Sequence, residues 1–452
     1  MSEITKGAHT RAPARRTFVI ARALPVFWLM FAINLINYLD RLIAVAVGPT
    51  LKAEFHLTDR DIGILSSAFL LIYTISALPL GALADRTRSR ARVVALGVGL
   101  WSLFSGLTAL ATGFASLVIT RALVGVGEAS YYPAGTALLS AYFPRAARAR
   151  VMGRWQVGQL MGILFAFTLS GALFALLPAP VAWRMAFLIA AAPGLALAAL
   201  MWFVAEPPAA RVTPLPVAGD APDGAVPHAP GAQPPRTLAG QVLAALSIPS
   251  IWLVIALQAL IFTVTTPAIT FLPIYIRSRE GPFHLGAAHA AFLTGIIIVV
   301  GGVTGALLGG SLADRLTRWN PGGRVLAVGC GFLLALPCFA AMLLTTRLTI
   351  FVLAGTLAVL ALNLPTGPLT AIPQDVTPPG LRATAVAITL LLSHMLGDIW
   401  SPTAVGTLAT ALHERPGPAL LIVGLPALAL GLIIASAGAG LYVRNLREAP
   451  EE

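Results

Sequence analysis

Apolar residues run along this chain in long blocks separated by short polar stretches, and the blocks have the length of membrane-crossing helices rather than of buried strands. Block length and breaker residues predict twelve helices, near residues 18–47, 60–84, 92–112, 115–141, 149–177 and 183–205, then 248–276, 286–313, 323–345, 349–372, 382–411 and 418–443. At 1.5 Å per residue each rises roughly 30–45 Å, enough for a hydrocarbon core of ~30 Å. Between the two sets of six, residues 206–246 are rich in Pro, Ala and Gly and carry no apolar period, which predicts a loosely ordered linker. The expected organisation is a tail (1–17), a six-helix half (18–205), the linker (206–246), a second six-helix half (247–443) and a short tail (444–452).

Composition agrees and narrows the class. Of 452 residues, 57% are hydrophobic and 11% charged, and the mean hydropathy of +0.84 excludes a soluble globular domain. The net charge of +12 would suit nucleic acid if the bases formed one patch, but they recur in short clusters between apolar blocks, so no nucleic-acid partner is expected. Of the 30 Lys and Arg, 21 fall on the side that holds both termini and 7 on the other, with Arg41 and Arg121 inside the membrane. That bias predicts cytoplasmic termini, in a multi-pass protein of the plasma (bacterial inner) membrane. The basic N-terminus lacks a cleavage-type site and reads as a tail leading into the first helix. Cys330 and Cys338 share one apolar block and suit neither a disulfide framework nor a zinc site; no metal or cofactor is implied, and a monomer is the expected unit.

The chemistry lies in the few ionisable groups within the blocks. Asn37-Tyr38-Leu39-Asp40-Arg41 places an acid and a base side by side inside the first block, where such groups are expensive and functional by default. Counted along ideal helices, Asp40 lies ~24 Å above the terminal side, and Arg121 on helix 4 reaches nearly the same height. Asp398 on helix 11 also falls ~24 Å up, with His394 one turn below it on the same face. Glu128 is two turns from Arg121 and ~10 Å deeper, a second proton-linked acid or a partner of Arg121 or of the terminal-side bases. An Asp40–Arg121 pair serving packing alone would cost more than apolar contact, so a titrating Asp40 is the favoured reading. Burial opposes its charge while a neighbouring arginine supports it, so movement of that arginine would switch proton binding. Helix 7 adds Gln258, Thr263, Thr265 and Thr266 and helix 10 adds Asn363 and Thr366, all polar but uncharged. Prolines 267, 273, 365 and 368 offer bends in those helices.

The two halves also share a motif. Gly81-Ala82-Leu83-Ala84-Asp85-Arg86-Thr87-Arg88 recurs as Gly310-Ser311-Leu312-Ala313-Asp314-Arg315-Leu316-Thr317 at the equivalent place in the second half. Its duplication points to a latch between halves, with Gly81, Asp85, Arg86, Gly310, Asp314 and Arg315 as gating residues. Twelve helices, a central linker and a G-x-L-A-D-R loop in each half resemble the major facilitator superfamily over essentially the whole chain. That resemblance implies an all-α membrane fold of two six-helix halves around a midplane cavity lined mainly by helices 1, 4, 7 and 10.

More specifically, Asn37 to Arg41, Arg121-x-x-x-Gly125-x-Gly127-Glu128-Ala129-Ser130-Tyr131 and His394-x-x-Gly397-Asp398-x-x-Ser401-Pro402-x-x-x-Gly406 together resemble the spinster family of lipid transporters. The resemblance implies proton-linked movement of a lysophospholipid or sphingosine-phosphate type substrate, with Asp40, Arg121 and Glu128 at the centre. The chain departs from the family at Gly406-Thr407-Leu408-Ala409, which lacks an acid shortly after the glycine. The first two blocks also resemble the anion:cation symporters, whose helix 4 reads Glu-Ala-Pro where this chain has Glu128-Ala129-Ser130, so a proton-linked symporter of sugar acids or aromatic acids is the alternative. A non-transporting membrane sensor or scaffold is a third reading. A membrane enzyme would need a nucleophile or metal cluster near an interface, and no such spacing is present. The expected partners are protons, membrane lipids and a lipid or small organic anion, with Asp40 and Glu128 coupling protons and Asn37, Arg41, Arg121, His394 and Asp398 holding substrate.

Overall fold

The structure, a computed structural model, describes residues 13–87, 89–143, 145–205, 237–277, 283–378 and 381–448. The described residues fold as helices: α1 (Pro13–Ala46), α2 (Gly48–Glu54), α3 (Asp59–Arg86), α4 (Arg90–Thr108), α5 (Phe114–Tyr142), α6 (Arg145–Leu176), α7 (Ala179–Trp202) and α8 (Leu238–Leu246). They continue with α9 (Pro249–Arg277), α10 (Ala287–Thr317), α11 (Gly323–Leu344), α12 (Leu348–Asn363), α13 (Thr366–Val376), α14 (Arg382–Gly397), α15 (Ser401–Ala411) and α16 (Pro416–Glu448). Eleven stretches are long and apolar enough to cross a membrane by length and composition. Besides the short α2 and α8, the described helix outside that set is α5, which has the length at 29 residues; it carries Arg121 and Glu128, both buried by the helices around it.

Four elements differ from the sequence expectation, the first being α2, a short helix at Gly48–Glu54 where the sequence predicts a loop. Predicted helix 10 is split into α12 and α13 at Leu364 and Pro365, where proline removes a backbone donor and crowds the preceding turn. Predicted helix 11 is split into α14 and α15 around Asp398 to Trp400; Pro402 has no N–H to give the Asp398 carbonyl four residues earlier. Pro267 and Pro273, by contrast, lie within an unbroken α9. Within the expected linker, Leu238–Leu246 is helical because Thr237 accepts a hydrogen bond from the Gly240 amide and starts the turn. Residues 206–236 lie outside the described residues.

The halves repeat one packing scheme. In the first, α1 packs on α6, α3 and α4 on α5, and α4 on α7; in the second, α9 packs on α14, α10 and α11 on α12, and α11 on α16. Across the boundary α3 meets α15 and α6 meets α10, again as equivalents. Large apolar side chains face both inward and outward: Trp101 is fully buried, whereas Leu96, Leu100, Leu103 and Leu107 form an exposed stripe along α4 at helical spacing. An outward apolar stripe is unfavourable in water and suited to lipid.

Close helix contact holds the charged residues in place. A Cβ on Gly127 would meet the Trp101 amide nitrogen at 2.6 Å and the Gly97 carbonyl at 2.8 Å, and one on Gly125 would meet the Phe69 carbonyl at 2.9 Å. These glycines, both within the turn before Glu128, therefore seat α5 directly on α4 and α3. Gly127→Ala should lower the thermal stability of the purified protein by about 1–3 kcal/mol, whereas Gly153→Ala, which meets nothing within 4 Å, should be neutral or slightly stabilising; thermal unfolding in detergent checks both.

Candidate functional site

Two polar turns of α1 are fixed from the side before the charges begin. Asn34 Nδ2 donates to the Trp155 carbonyl at 2.9 Å, and Trp155 Nε1 donates to the Met30 carbonyl at 3.0 Å and to the Tyr131 hydroxyl at 3.0 Å. These bonds tie α1 to α5 and α6 in an otherwise apolar interior, where an unmet backbone carbonyl would be costly. They set the height and rotation of Asp40 and Arg41.

Asp40 and Arg41 then face different partners, as the 100° step between successive helical residues requires. Asp40, buried, lies 3.5 Å from Arg121 Nη1 through Oδ2 and accepts a hydrogen bond from Ser105 on α4 through Oδ1. Arg41 reaches the other way and places Nε and Nη2 at 3.0 and 2.6 Å from Glu128 Oε2. Its guanidinium also lies 4.9–5.3 Å from the ring centroids of Tyr38, Phe69 and Tyr73, and Phe69 faces Arg121 as well, at 5.2 Å. Rings around a desolvated cation replace part of its lost hydration. Glu128 Oε1 is buried without a hydrogen-bond partner among the described residues.

A third group comes from the second half. Asp398, at the break between α14 and α15, accepts from Thr266 Oγ1 of α9 at 2.5 Å and pairs with His394 Nδ1 one turn earlier. The His394 ring stacks on Phe262, with centroids 4.4 Å apart. Between the halves lies a cavity of about 580 Å³. Arg41, Arg121 and Asp398 line it together with Gln156, Gln159, Thr265, Thr266 and Asn363, and its remaining wall includes Leu42, Val45, Ile62, Leu65, Leu272 and Phe339. Among the described residues, no three His, Cys, Asp or Glu groups come together as a metal cluster.

The predicted residues are thus sorted into separate roles. Asp40 and Arg121 meet, as their shared depth implied. Glu128 is paired with Arg41 rather than with Arg121 or a terminal-side base, because the Arg41 side chain spans the difference in height. His394 reaches the cavity only through Asp398, and Asn37 does not line it but is buried with its amide nitrogen unpartnered among the described residues. Of the repeated loop, Gly81 faces the Pro133 ring, Gly310 adjoins Gly367, and Asp314 and Arg315 are exposed without an ion pair among the described residues. The side chains of Asp85 and Arg86 lie outside the described residues. Sequence reasoning missed Ser105, Phe69 and Tyr73; Ser102 and Ser105, spaced three apart in an apolar block, were the available signal for a polar face on α4.

Removing one member of a buried ion pair strands the other. Glu128→Gln and Arg41→Leu should each lower stability by on the order of 3 kcal/mol, while the double variant Arg41→Leu/Glu128→Leu should lose less than the sum of the singles; a double-mutant cycle of thermal unfolding in detergent reads the coupling.

The sequence profile of the Major Facilitator Superfamily matches residues 30–402. "Protein spinster homolog 1" of Xenopus laevis is 26% identical over 430 residues, covering 91% of this chain and 78% of the relative. A probable L-galactonate transporter of Escherichia coli (strain K12) is 32% identical over a shorter span of 176 residues, 39% of this chain and 38% of the relative. Among solved structures, the chain is similar to the crystal structure of a bacterial homolog to the human lysosomal transporter spinster in an inward-facing and unoccupied conformation, with a TM-score of 0.74, 23% identity, and coverage of 97% of this chain and 98% of that one. With the charged groups gathered around one cavity between two equivalent helical halves, the chain belongs to the Major Facilitator Superfamily, a spinster-like transporter rather than an enzyme.

Proposed function

We propose that the protein is a proton-coupled secondary active transporter that moves an amphipathic anionic or zwitterionic lipid, such as a lysophospholipid, by alternating access. It acts as a monomer in the plasma (bacterial inner) membrane with both termini cytoplasmic. The observation that carries this reading is the cavity itself, in which two arginines stand at the edge of a wall that is otherwise largely apolar. An acidic headgroup would be held by the arginines, whose guanidinium geometry suits phosphate, and an acyl chain would lie along the leucines, isoleucines and valines. The similarity to spinster homologues over most of the chain accords with the family resemblance read from the sequence, which implies such a substrate.

Coupling follows from competition for Arg121. Arg121 lies against the Asp40 carboxylate. A headgroup phosphate that draws Arg121 away leaves Asp40 buried with only Ser105 beside it, and a buried carboxylate without its counter-charge takes a proton. Glu128, with one oxygen unpartnered among the described residues, is the second acid, released when Arg41 turns from it to the substrate. Asp398, held by Thr266 and His394, marks the second-half side of the same space. Substrate and proton are therefore loaded together.

A second reading, a symporter of small organic anions such as sugar acids or aromatic acids, is supported by the likeness to the probable L-galactonate transporter. A flux screen in proteoliposomes with lysophospholipids, sugar acids and aromatic acids, with and without a pH gradient, separates the two. Lysophospholipid movement that depends on the gradient is the expected result, and uptake of the small acids alone would favour the second reading. Asp40→Asn should fold and should lose the pH dependence of transport; transport by this variant with the pH dependence of the unsubstituted protein would sink the coupling scheme.

A further inference from the structure

The halves are clasped at the face opposite the chain ends by a cluster outside the cavity. Lys52 on α2 lies between two carboxylates, 2.5 Å from Asp59 of its own half and 2.6 Å from Glu414 of the other. Glu414 Oε2 also accepts from the backbone N–H of Asp59 at 3.0 Å, and Thr410 Oγ1 accepts from the N–H of Arg60 at 3.1 Å. Asp59 and Arg60 open α3, so their amides have no partner within that helix. The second half thus caps the N-terminus of a first-half helix, bringing a carboxylate to the positive end of its dipole. Burial works against charge on Glu414, but its hydrogen bond to Lys52, the Lys52 charge and the Asp59 amide outweigh that and hold its carboxyl below the ordinary carboxylate value.

The helices beneath the clasp lie backbone to backbone. A Cβ on Gly63 would collide with the Pro402 carbonyl, and one on Gly406 with the Asp59 carbonyl. Thr403 Oγ1 and Ser67 Oγ are 2.8 Å apart one turn further in. The turn that delivers Glu414 is itself strained: His413 (φ 62°) and Glu414 (φ 59°) are consecutive non-glycine residues in the left-handed region, a conformation that persists only where the surroundings enforce it.

We propose that Lys52, Asp59 and Glu414 are the gate that parts when this face opens, and that the left-handed His413-Glu414 turn is a spring loaded by the closed gate. The inference rests on alternating access alone and is independent of which substrate or ion is carried. In the closed state Lys52 and the α3 amides hold Glu414 in place and keep the turn wound. When α15 leaves α3 the contacts go and the turn relaxes, so part of the lost interaction is returned as backbone relief. The clasp is therefore strong enough to seal and weak enough to cycle.

The test is the distance between spin labels at the exposed positions 60 and 415, measured by pulsed electron resonance in liposomes on a background with Cys330 and Cys338 replaced by serine. Glu414→Gln and Lys52→Gln should each raise the ratio of long- to short-distance populations about tenfold, and the double variant should add little to either. His413→Gly, which removes the strain but leaves the clasp, should lower that ratio by about fivefold. Unchanged distributions in Glu414→Gln and Lys52→Gln would overturn the gate, and a ratio unchanged or raised by His413→Gly would overturn the spring. Because the readout is distance rather than flux, these results stand whatever the substrate screen returns.

Discussion

A charge inside an apolar interior must be answered by another charge or by hydrogen bonds, and this requirement organises the first half of the molecule. Asp40 and Arg41 are adjacent on α1, yet neither satisfies the other. Asp40 turns to Arg121 and Arg41 to Glu128, and both partners lie on α5. Two crossed pairs fix α1 against α5 at two points, and α5 in turn must lie hard on α3 and α4 to keep its charges from lipid. Gly125 and Gly127, in the turn before Glu128, make that contact possible. Packing, charge and the position of the cavity are thus one arrangement.

Buried pairs of this kind contribute little net stability compared with apolar packing of the same volume. Their value in a transporter is that they can be exchanged. Arg41 and Arg121 both line the cavity, so an anion arriving there competes directly with Glu128 and Asp40. The aromatic ring of Phe69 sits against both guanidinium groups and offers each a favourable place beside the rings while its partner changes. The proposed clasp of Lys52, Asp59 and Glu414 uses the same chemistry at the opposite face, where Glu414 is the more exposed partner.

Much of this was legible in the sequence. Apolar block length gave the number and order of the membrane helices, and the paired G-x-L-A-D-R segments gave the two equivalent halves. Counting 1.5 Å per residue was sufficient to bring Asp40 and Arg121 to one level. The same counting failed for Glu128, because it measures Cα heights and Arg41 has a side chain long enough to bridge them. Ser105, Phe69 and Tyr73 escaped for a related reason: an apolar or hydroxyl residue inside an apolar block looks the same whether it faces lipid, a neighbour or a guanidinium. The breaks at Pro365 and before Pro402 were visible as prolines, but whether a helix bends or parts there depends on what replaces the lost hydrogen bond. The Lys52–Glu414 contact joins residues 362 apart, and no local pattern marks such a pairing.

In the proposed scheme an anionic substrate and a proton are loaded together because both depend on Arg121. Proteoliposomes holding a pH-sensitive dye in the lumen, given an inward gradient of a transported substrate and no initial pH difference, test it most directly. The lumen is expected to acidify as substrate enters. Substrate accumulation with an unchanged or more alkaline lumen would contradict it.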